Sequence, residues 1–410
     1  MKTAIVLGAG MVGVSTALAL RDRGWDVTLV DRKAPGQETS FGNAGIIQAE
    51  AVEPYAMPRT LRELFNIVTG RSNDVHYSWQ ELPFHARALL RYWWHSEPSR
   101  HRRVAQSWAG LIRRATDAHE PLIDRAGADN LVRRSGWRVL YRNQADLEAG
   151  MVEAERIRST YDVPYFLRST DETLLDEPAL TDGGLGSIHW TGSWTASNPG
   201  ALVEAYGALF ARAGGTFVHG KAESLERSGA GWSVETEGGK VGAEAAVVCL
   251  GPWSSDLLMP FGHRFSMVRK RGYHAHYRSP LSLQAPVLDT ANGYVMAPMA
   301  AGTRITTGAH VARFDAAPVY SQLERAERAA GELIDLGPRV EDKPWQGTRP
   351  CMPDMLPVIG ASHYQKGLWM NFGHGHQGFT LGPVSAAMLA AMMDGDKPAI
   401  DMKPFRAERY

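Results

Sequence analysis

The sequence predicts an α/β protein in which a first unit, built on a mostly parallel sheet, is interrupted by a second unit of helices and mixed sheet. Three observations carry this expectation. The chain opens on an apolar strand, a glycine triplet, an amphipathic helix and a second strand, all within residues 3–31. A further helix-and-strand block runs through 198–254 and closes on an apolar strand broken by a glycine. Elsewhere, 60–185 is helix-rich and carries Trp79, Trp93, Trp94 and Trp108 among many arginines, whereas 266–310 alternates as sheet strands do.

Thr3 to Leu7 reads as a buried strand, followed by Gly8-Ala9-Gly10-Met11-Val12-Gly13, an uninterrupted G-x-G-x-x-G. Val14, Ala17, Leu18, Ala19 and Leu20 give the next helix an apolar face, Arg21, Asp22 and Arg23 end it, and Gly24 supplies the stop. A second strand, Val27 to Val30, ends at Asp31. Each part has a mechanical reason. Gly8 permits the tight strand-to-helix turn, Gly10 lets the backbone approach a pyrophosphate, and Gly13 lets the helix pack close to the strand. The helix start, with Ala9, Met11 and Val12, then presents unpaired N–H groups to phosphates. Asp31 stands where an acid accepts hydrogen bonds from an adenosine ribose. A lone glycine triplet would fit a turn in any α/β domain, but strand, triplet, helix, strand and acid in register define a Rossmann-type dinucleotide-binding unit.

This unit alone does not separate NAD from FAD, and Arg32 points toward a 2′-phosphate and hence NADP. Two other segments bear on the choice: the polar loop Glu38-Thr39-Ser40-Phe41-Gly42-Asn43-Ala44-Gly45, and the run Asn371-Phe372-Gly373-His374-Gly375-His376-Gln377-Gly378-Phe379-Thr380 before a helix over 385–393. At these residues the chain resembles the FAD-dependent D-amino-acid oxidase superfamily, and within it the small subunit of the bacterial D-amino-acid dehydrogenases. The resemblance covers both ends and the middle of the chain. It implies that the loop with Ser40, Asn43, Ala44 and Gly45 runs past a flavin. It also implies that Gly373, His374, Gly375, Gly378, Phe379 and Thr380 pack near the pyrimidine end of the ring. The strand and turn around Gly251 resemble the piece that returns to the cofactor domain. The implied architecture is a Rossmann-type FAD-binding domain in three discontinuous segments, 1–60, 190–262 and 345–410, with a mixed-sheet substrate domain from 61–189 and 263–344. FAD is expected to be non-covalent: in the related sarcosine oxidases the attaching cysteine precedes the position of Arg349, whereas Cys351 follows it. His374 and His376 stand two residues apart on a glycine loop, which matches no zinc signature, so no metal is expected.

An amino-acid substrate offers a carboxylate, whose best complement is a planar guanidinium. Arg349 lies in Gly347-Thr348-Arg349-Pro350-Cys351-Met352-Pro353-Asp354-Met355-Leu356-Pro357-Val358-Ile359-Gly360, which resembles the family run whose arginine binds the substrate carboxylate. The competing reading is a structural salt bridge to Asp354. Tyr294, in Asn292–Pro298, and Tyr273 with His274, after Lys270-Arg271-Gly272, are candidates for orienting the substrate and are equally readable as core. The expected reaction is hydride transfer from the substrate α-carbon to flavin N5, giving an imino acid that hydrolyses to a 2-oxo acid and ammonia. Electrons are expected to pass to a quinone or other carrier, with oxygen as the alternative. The nearest rival substrates are secondary amines and glycine-type compounds: sarcosine, an opine or D-hydroxyproline. A non-catalytic FAD-carrying subunit would have no use for Arg349, and an NAD-dependent dehydrogenase should lack the loop at 43–45 and the segment at 371–380.

Composition narrows the partners. With 410 residues and 44% hydrophobic content the chain can bury a large core. Lysine plus arginine equal aspartate plus glutamate at 44 each, so no global field favours nucleic acid. Two cysteines, Cys249 and Cys351, are too few for a disulfide framework and agree with a reducing compartment, so the cytoplasm is the expected location. No run approaches the ~18 apolar residues of a membrane span. Leu89–His95 mixes apolar, aromatic and basic residues as interfacial helices do. Core is the commoner use of such a stripe, and peripheral contact with the inner face of the plasma membrane is the alternative it leaves open.

Overall fold

Strand β1 (Thr3–Leu7) lies parallel between β2 (Asp26–Asp31) and the strand Ala245–Val248 in a computed structural model that describes residues 2–60, 73, 75–77 and 80–410. Trp79 and the first part of the helix-rich stretch lie outside the described residues. β1 and Ala245–Val248 are buried almost throughout, as strands covered on both faces of a parallel sheet must be. The sheet runs Gly239–Ala243, Gly231–Thr236, Thr216–Ser228, β2, β1, Ala245–Val248, Leu368–Phe372, Val358–Ala361. Its inner strands are parallel and its edges antiparallel.

Helix α1 (Met11–Arg21) packs on this sheet with Pro199–Arg212 and Gly378–Asp394. The last of these begins at Gly378, earlier than the 385–393 expected, and contains Pro383. Pro383 has no N–H for the carbonyl of Phe379 one turn back. The buried His119 supplies the donor instead, with Nε2 at 3.0 Å from Phe379 O and 3.2 Å from Thr380 O. Burial lowers His119 to about 4, so the ring is neutral. His119 sits on Ala115–Ala126, which packs with Pro98–Ile112 on the helical layer of the first sheet. The sequence division assigns both helices to the other domain, but Trp108, Leu111, Ile112 and Ile123 bury their apolar stripe in the core of the first sheet.

The second sheet is mixed and runs Val75–Tyr77, Ala309–Val311, Val268–Tyr277, Gly302–Thr307, Tyr294–Met299, Val287–Asp289, Trp137–Tyr141, Gly186–Trp190, Tyr165–Arg168. Trp345–Cys351 also belongs to it, pairing along Val268–His274. The strand carrying Arg349 is thus bonded to the second sheet although 345–410 otherwise follows the first. In the helix Leu82–His95, Ala88 and Tyr92 are buried, whereas Leu90, Trp93 and Trp94 are exposed. The core reading of this stripe therefore holds for one face only. Among the described residues no helix is long and apolar enough to cross a membrane.

Candidate active site

A cavity of about 1640 Å³ extends from the glycine triplet to the strand of Arg349. This exceeds the ~300–1,000 Å³ of pockets for drug-sized ligands and leaves room for a dinucleotide plus a small substrate.

At its first end the turn is as tight as the triplet requires. Gly8 has φ +106°, and a Cβ on Gly13 would lie 1.7 Å from the Gly8 carbonyl oxygen, so α1 can start against β1 only with glycine there. Gly8, Gly10, Met11, Val12, Asp31 and Arg32 line the cavity. Asp31 accepts from the Ala9 N–H at 2.6 Å and the Lys33 N–H at 3.0 Å, so it braces the turn as well as facing the cavity. Burial raises its carboxyl above the ordinary range, against the pull of those N–H donors. Arg32 donates to Glu38 at 2.7 Å and lies 4.8 Å over the Trp253 ring. An acid already paired with Arg32 opposes a 2′-phosphate, so the NADP reading loses its one support.

Ser40, Asn43, Ala44, Gly251, Gly373, His374, Gly375, Gly378 and Phe379 also line the cavity. Ala9, Gly13, Gly45 and Thr380 stand behind the lining. The Thr380 hydroxyl donates to Ile46 O at 3.3 Å and Gly45 N–H to Asn43 Oδ1 at 2.8 Å, which shapes the loop. The Met11 N–H donates to Ser40 Oγ at 3.0 Å and ties that loop to α1. From the second sheet the buried Arg304 donates to the carbonyls of Phe41 and Asn43, and its Nε to His276 Nε2 at 2.9 Å. Burial pulls Arg304 down to about 10. Nothing in the local sequence marks Arg304, because its role depends on a loop far away in the chain.

At the other end Arg349 donates to Gly308 O at 2.8 Å and Thr307 O at 3.1 Å. The alternative partner, Asp354, is taken: Arg409 donates to it at 2.6 Å and Tyr410 bonds its other oxygen. No described carboxylate lies within ion-pair range of Arg349, and burial lowers its pKa. A Cβ on Gly272 would lie 2.6 Å from Arg349 Nη2, so the bare backbone at Gly272 gives the guanidinium its seat. Lys270 is paired directly across from Arg349 and also lines the cavity, its Nζ 4.5 Å from the centre of the Tyr92 ring. The sequence reading passed over Lys270 and Tyr92.

His374 accepts or donates at 3.1 Å to Ser385 Oγ, and His376 packs 5.0 Å from Tyr55. Burial, aided at His376 by Arg349 and Lys270, lowers both to about 3. Among the described residues no group of His, Cys, Asp and Glu is arranged to hold a metal ion. Tyr273 and Tyr294 both line the cavity, and the Tyr273 hydroxyl is engaged away from it, whereas the buried Tyr294 hydroxyl has no hydrogen-bond partner among the described residues. Tyr273 bonds His310 Nδ1 at 2.9 Å and accepts from the Val319 N–H at 3.2 Å. Tyr294 is raised by burial and by Asp289, which pairs with Arg142 at 2.8 Å. His274 stacks 4.8 Å from Trp345 and is not part of the lining.

A phosphate-cradling turn at one end of an elongated cavity and an unpaired guanidinium at the other define a flavin-dependent oxidoreductase, with room for FAD along the cavity. Residues 3–392 match the family described as FAD dependent oxidoreductase (DAO), and the chain belongs to that family and uses FAD. It is 31% identical to a D-amino acid dehydrogenase of Cereibacter sphaeroides, over 99% of this chain and 95% of that protein. It is 27% identical to a D-amino-acid oxidase of Bradyrhizobium diazoefficiens, over 99% of this chain and 98% of that one. Its fold is similar to glycine oxidase from Geobacillus kaustophilus, with TM-score 0.73 and 21% identity over 100% and 98% of the two chains.

Proposed function

We propose that the protein oxidises the carbon–nitrogen bond of D-amino acids, giving 2-oxo acids and ammonia, and passes the electrons to a quinone or other carrier. The observation that carries this reading is Arg349, a half-buried guanidinium that opens on the cavity with no acid beside it among the described residues. The relatives named for D-amino acids support the substrate class.

When bound, FAD supplies the hydride acceptance at N5 that such an oxidation needs. Its ADP half would be held by Gly8–Gly13 and Asp31, and its ring side by the loop at 40–45 and the segment at 373–379. Arg349 takes the substrate carboxylate by charge-assisted hydrogen bonds and fixes the α-carbon. Arg349 and Lys270 together disfavour a third positive charge nearby, so the amine binds neutral and no protein base has to remove a proton. The buried lining, including Tyr92 and Phe379, excludes water from the α-carbon. The imino acid then leaves and takes up water. In this reading 1–60, 190–262 and 345–410 hold the cofactor, backed by Pro98–Ile112 and Ala115–Ala126, and 263–344 with the rest of the described part of 61–189 covers the substrate, while Trp345–Cys351 pairs with the second sheet. The two free thiols support a reducing, cytoplasmic location. Trp93 and Trp94, stacked by Arg59 at 3.8 Å and Arg100 at 3.5 Å, are the surface that would meet the inner face of a membrane and its quinone.

The test is anaerobic reduction of the purified flavoprotein by D-alanine, L-alanine, glycine and sarcosine. Bleaching of the flavin bands by D-alanine is expected. Bleaching by sarcosine or glycine alone would replace the D-amino-acid class with the secondary-amine and glycine class.

A further inference from the structure

We infer that the substrate carries a second carboxylate, held by Lys270 opposite the one on Arg349; this deepens, and rests on, the proposed oxidation of D-amino acids at the same site. The register pairs Lys270 with Arg349 directly across antiparallel strands, which puts both side chains on one face. Like charges in that position repel, and the pair costs stability unless something anionic lies between or beyond them. Both groups line the cavity.

Neither has a carboxylate in ion-pair range among the described residues. Elsewhere on the lining Arg32 is matched by Glu38 and Asp256 by Arg269, while Arg227 meets the Lys366 carbonyl and the Trp232 ring. The acids of the lining are Asp31, Glu38, Glu223, Glu226 and Asp256, all on segments around the first sheet. Among the described residues no acid of the lining lies on a strand of the second sheet. Among the described residues this end of the cavity therefore holds two positive charges, Lys270 and Arg349, with no acid in ion-pair range. Tyr92 offers Lys270 the face of its ring and its hydroxyl, both neutral, and Arg349 meets neutral carbonyls. His376, next to both, is neutral and adds no charge.

A monocarboxylate matches one of these charges and leaves the other half-buried and without an acid. A short amino dicarboxylate matches both: the planar fork of Arg349 suits the α-carboxylate, and the ammonium of Lys270, a point charge with three donors, suits a carboxylate at the end of a short side chain. D-aspartate and D-glutamate have this chemistry.

The experiment measures calorimetric binding of succinate and butyrate, which differ by one carboxylate, to the FAD-loaded protein and to its Lys270→Met variant. The wild type is expected to bind succinate about 10- to 100-fold more tightly. Lys270→Met should bring the two ligands to parity and leave butyrate unchanged, and Lys270→Arg should keep the preference. Equal binding of both ligands by the wild type overturns the inference without any variant. Equal weakening of both ligands by Lys270→Met also overturns it, since both cations would then grip one carboxylate. A Lys270-dependent succinate preference in a protein that no D-amino acid reduces would sink the D-amino-acid reading and leave the dicarboxylate site standing. Reduction by D-alanine with no succinate preference would do the reverse.

Discussion

The two ends of the cavity solve opposite problems. At the nucleotide end, most contacts are made by backbone and by side chains close in sequence, and the polar groups are partnered: the Ala9 N–H with Asp31, Arg32 with Glu38, the Met11 N–H with Ser40. At the substrate end, side chains from strands distant in the chain meet, and two cations, Lys270 and Arg349, have no acid in ion-pair range among the described residues. The first end is finished without a ligand's charge, as suits a cofactor held by shape and N–H groups. The second is electrostatically incomplete, as suits a group that must bind an anion and release its product. Stability is spent where turnover requires it.

Substitutions at one end should leave the other intact, and the largest effect is expected at the tightest contact. Gly13→Ala places a methyl 1.7 Å from Gly8 O, so α1 must shift off the strand. Flavin content of the purified protein should fall to near zero, and thermal stability should drop by at least ~1–3 kcal/mol. Retention of full flavin would show that the turn is looser than described.

Gly272→Val tests the other end. Its Cβ would meet Arg349 Nη2 at 2.6 Å and displace the guanidinium. Flavin content should be unchanged while kcat/KM falls by about 10- to 100-fold, chiefly through KM, as a misplaced charge-assisted contact implies. A parallel loss of flavin would mean that the ends are not independent.

Arg304→Met crosses the comparison, because Arg304 belongs to the second sheet but holds the loop at 41–43. Losing these bonds to carbonyls should weaken FAD retention by about tenfold, read by dilution and fluorescence of released flavin. Glu50→Gln should have the smallest effect. Glu50 is fully buried beside Ser193 and Gln48, and burial raises its pKa above the ordinary 4.5. A carboxyl raised in the folded state contributes most below 4.5 and loses that contribution as pH rises through the raised value. The amide removes the charge, so melting temperature should rise slightly at pH 8 relative to wild type, with the difference vanishing toward pH 4. A uniform shift at every pH would assign the effect to packing.

The same contrast explains what could be read from the chain. The nucleotide end was legible because strand, turn, helix and acid are contiguous and each glycine has a local reason. The approach of Gly13 to Gly8 and the positions of Gly10, Met11 and Asp31 on the lining follow directly. Arg349 was legible only through its surrounding run. Lys270 was not, because its meaning arises from register with a strand far along the chain, and single-strand alternation carries no register. The tyrosines show the same limit. Sequence places Tyr273 and Tyr294 on strands facing the cavity, but whether a hydroxyl points inward depends on partners such as the His310 that holds Tyr273, which the local pattern does not encode. Helices Pro98–Ile112 and Ala115–Ala126 joined the first sheet for a comparable reason: an apolar stripe specifies that it will be covered, not by what.

The central claim is that Arg349 is the carboxylate clamp of an FAD-dependent amine oxidation. It is tested most directly by anaerobic titration of Arg349→Ala with the best wild-type D-amino acid. The variant should keep its flavin spectrum and require about 100- to 1,000-fold more substrate for the same bleaching, the loss expected when one partner of a buried charged pair is removed. A variant that holds FAD and still bleaches at wild-type substrate concentrations would contradict the account and place the carboxylate site elsewhere.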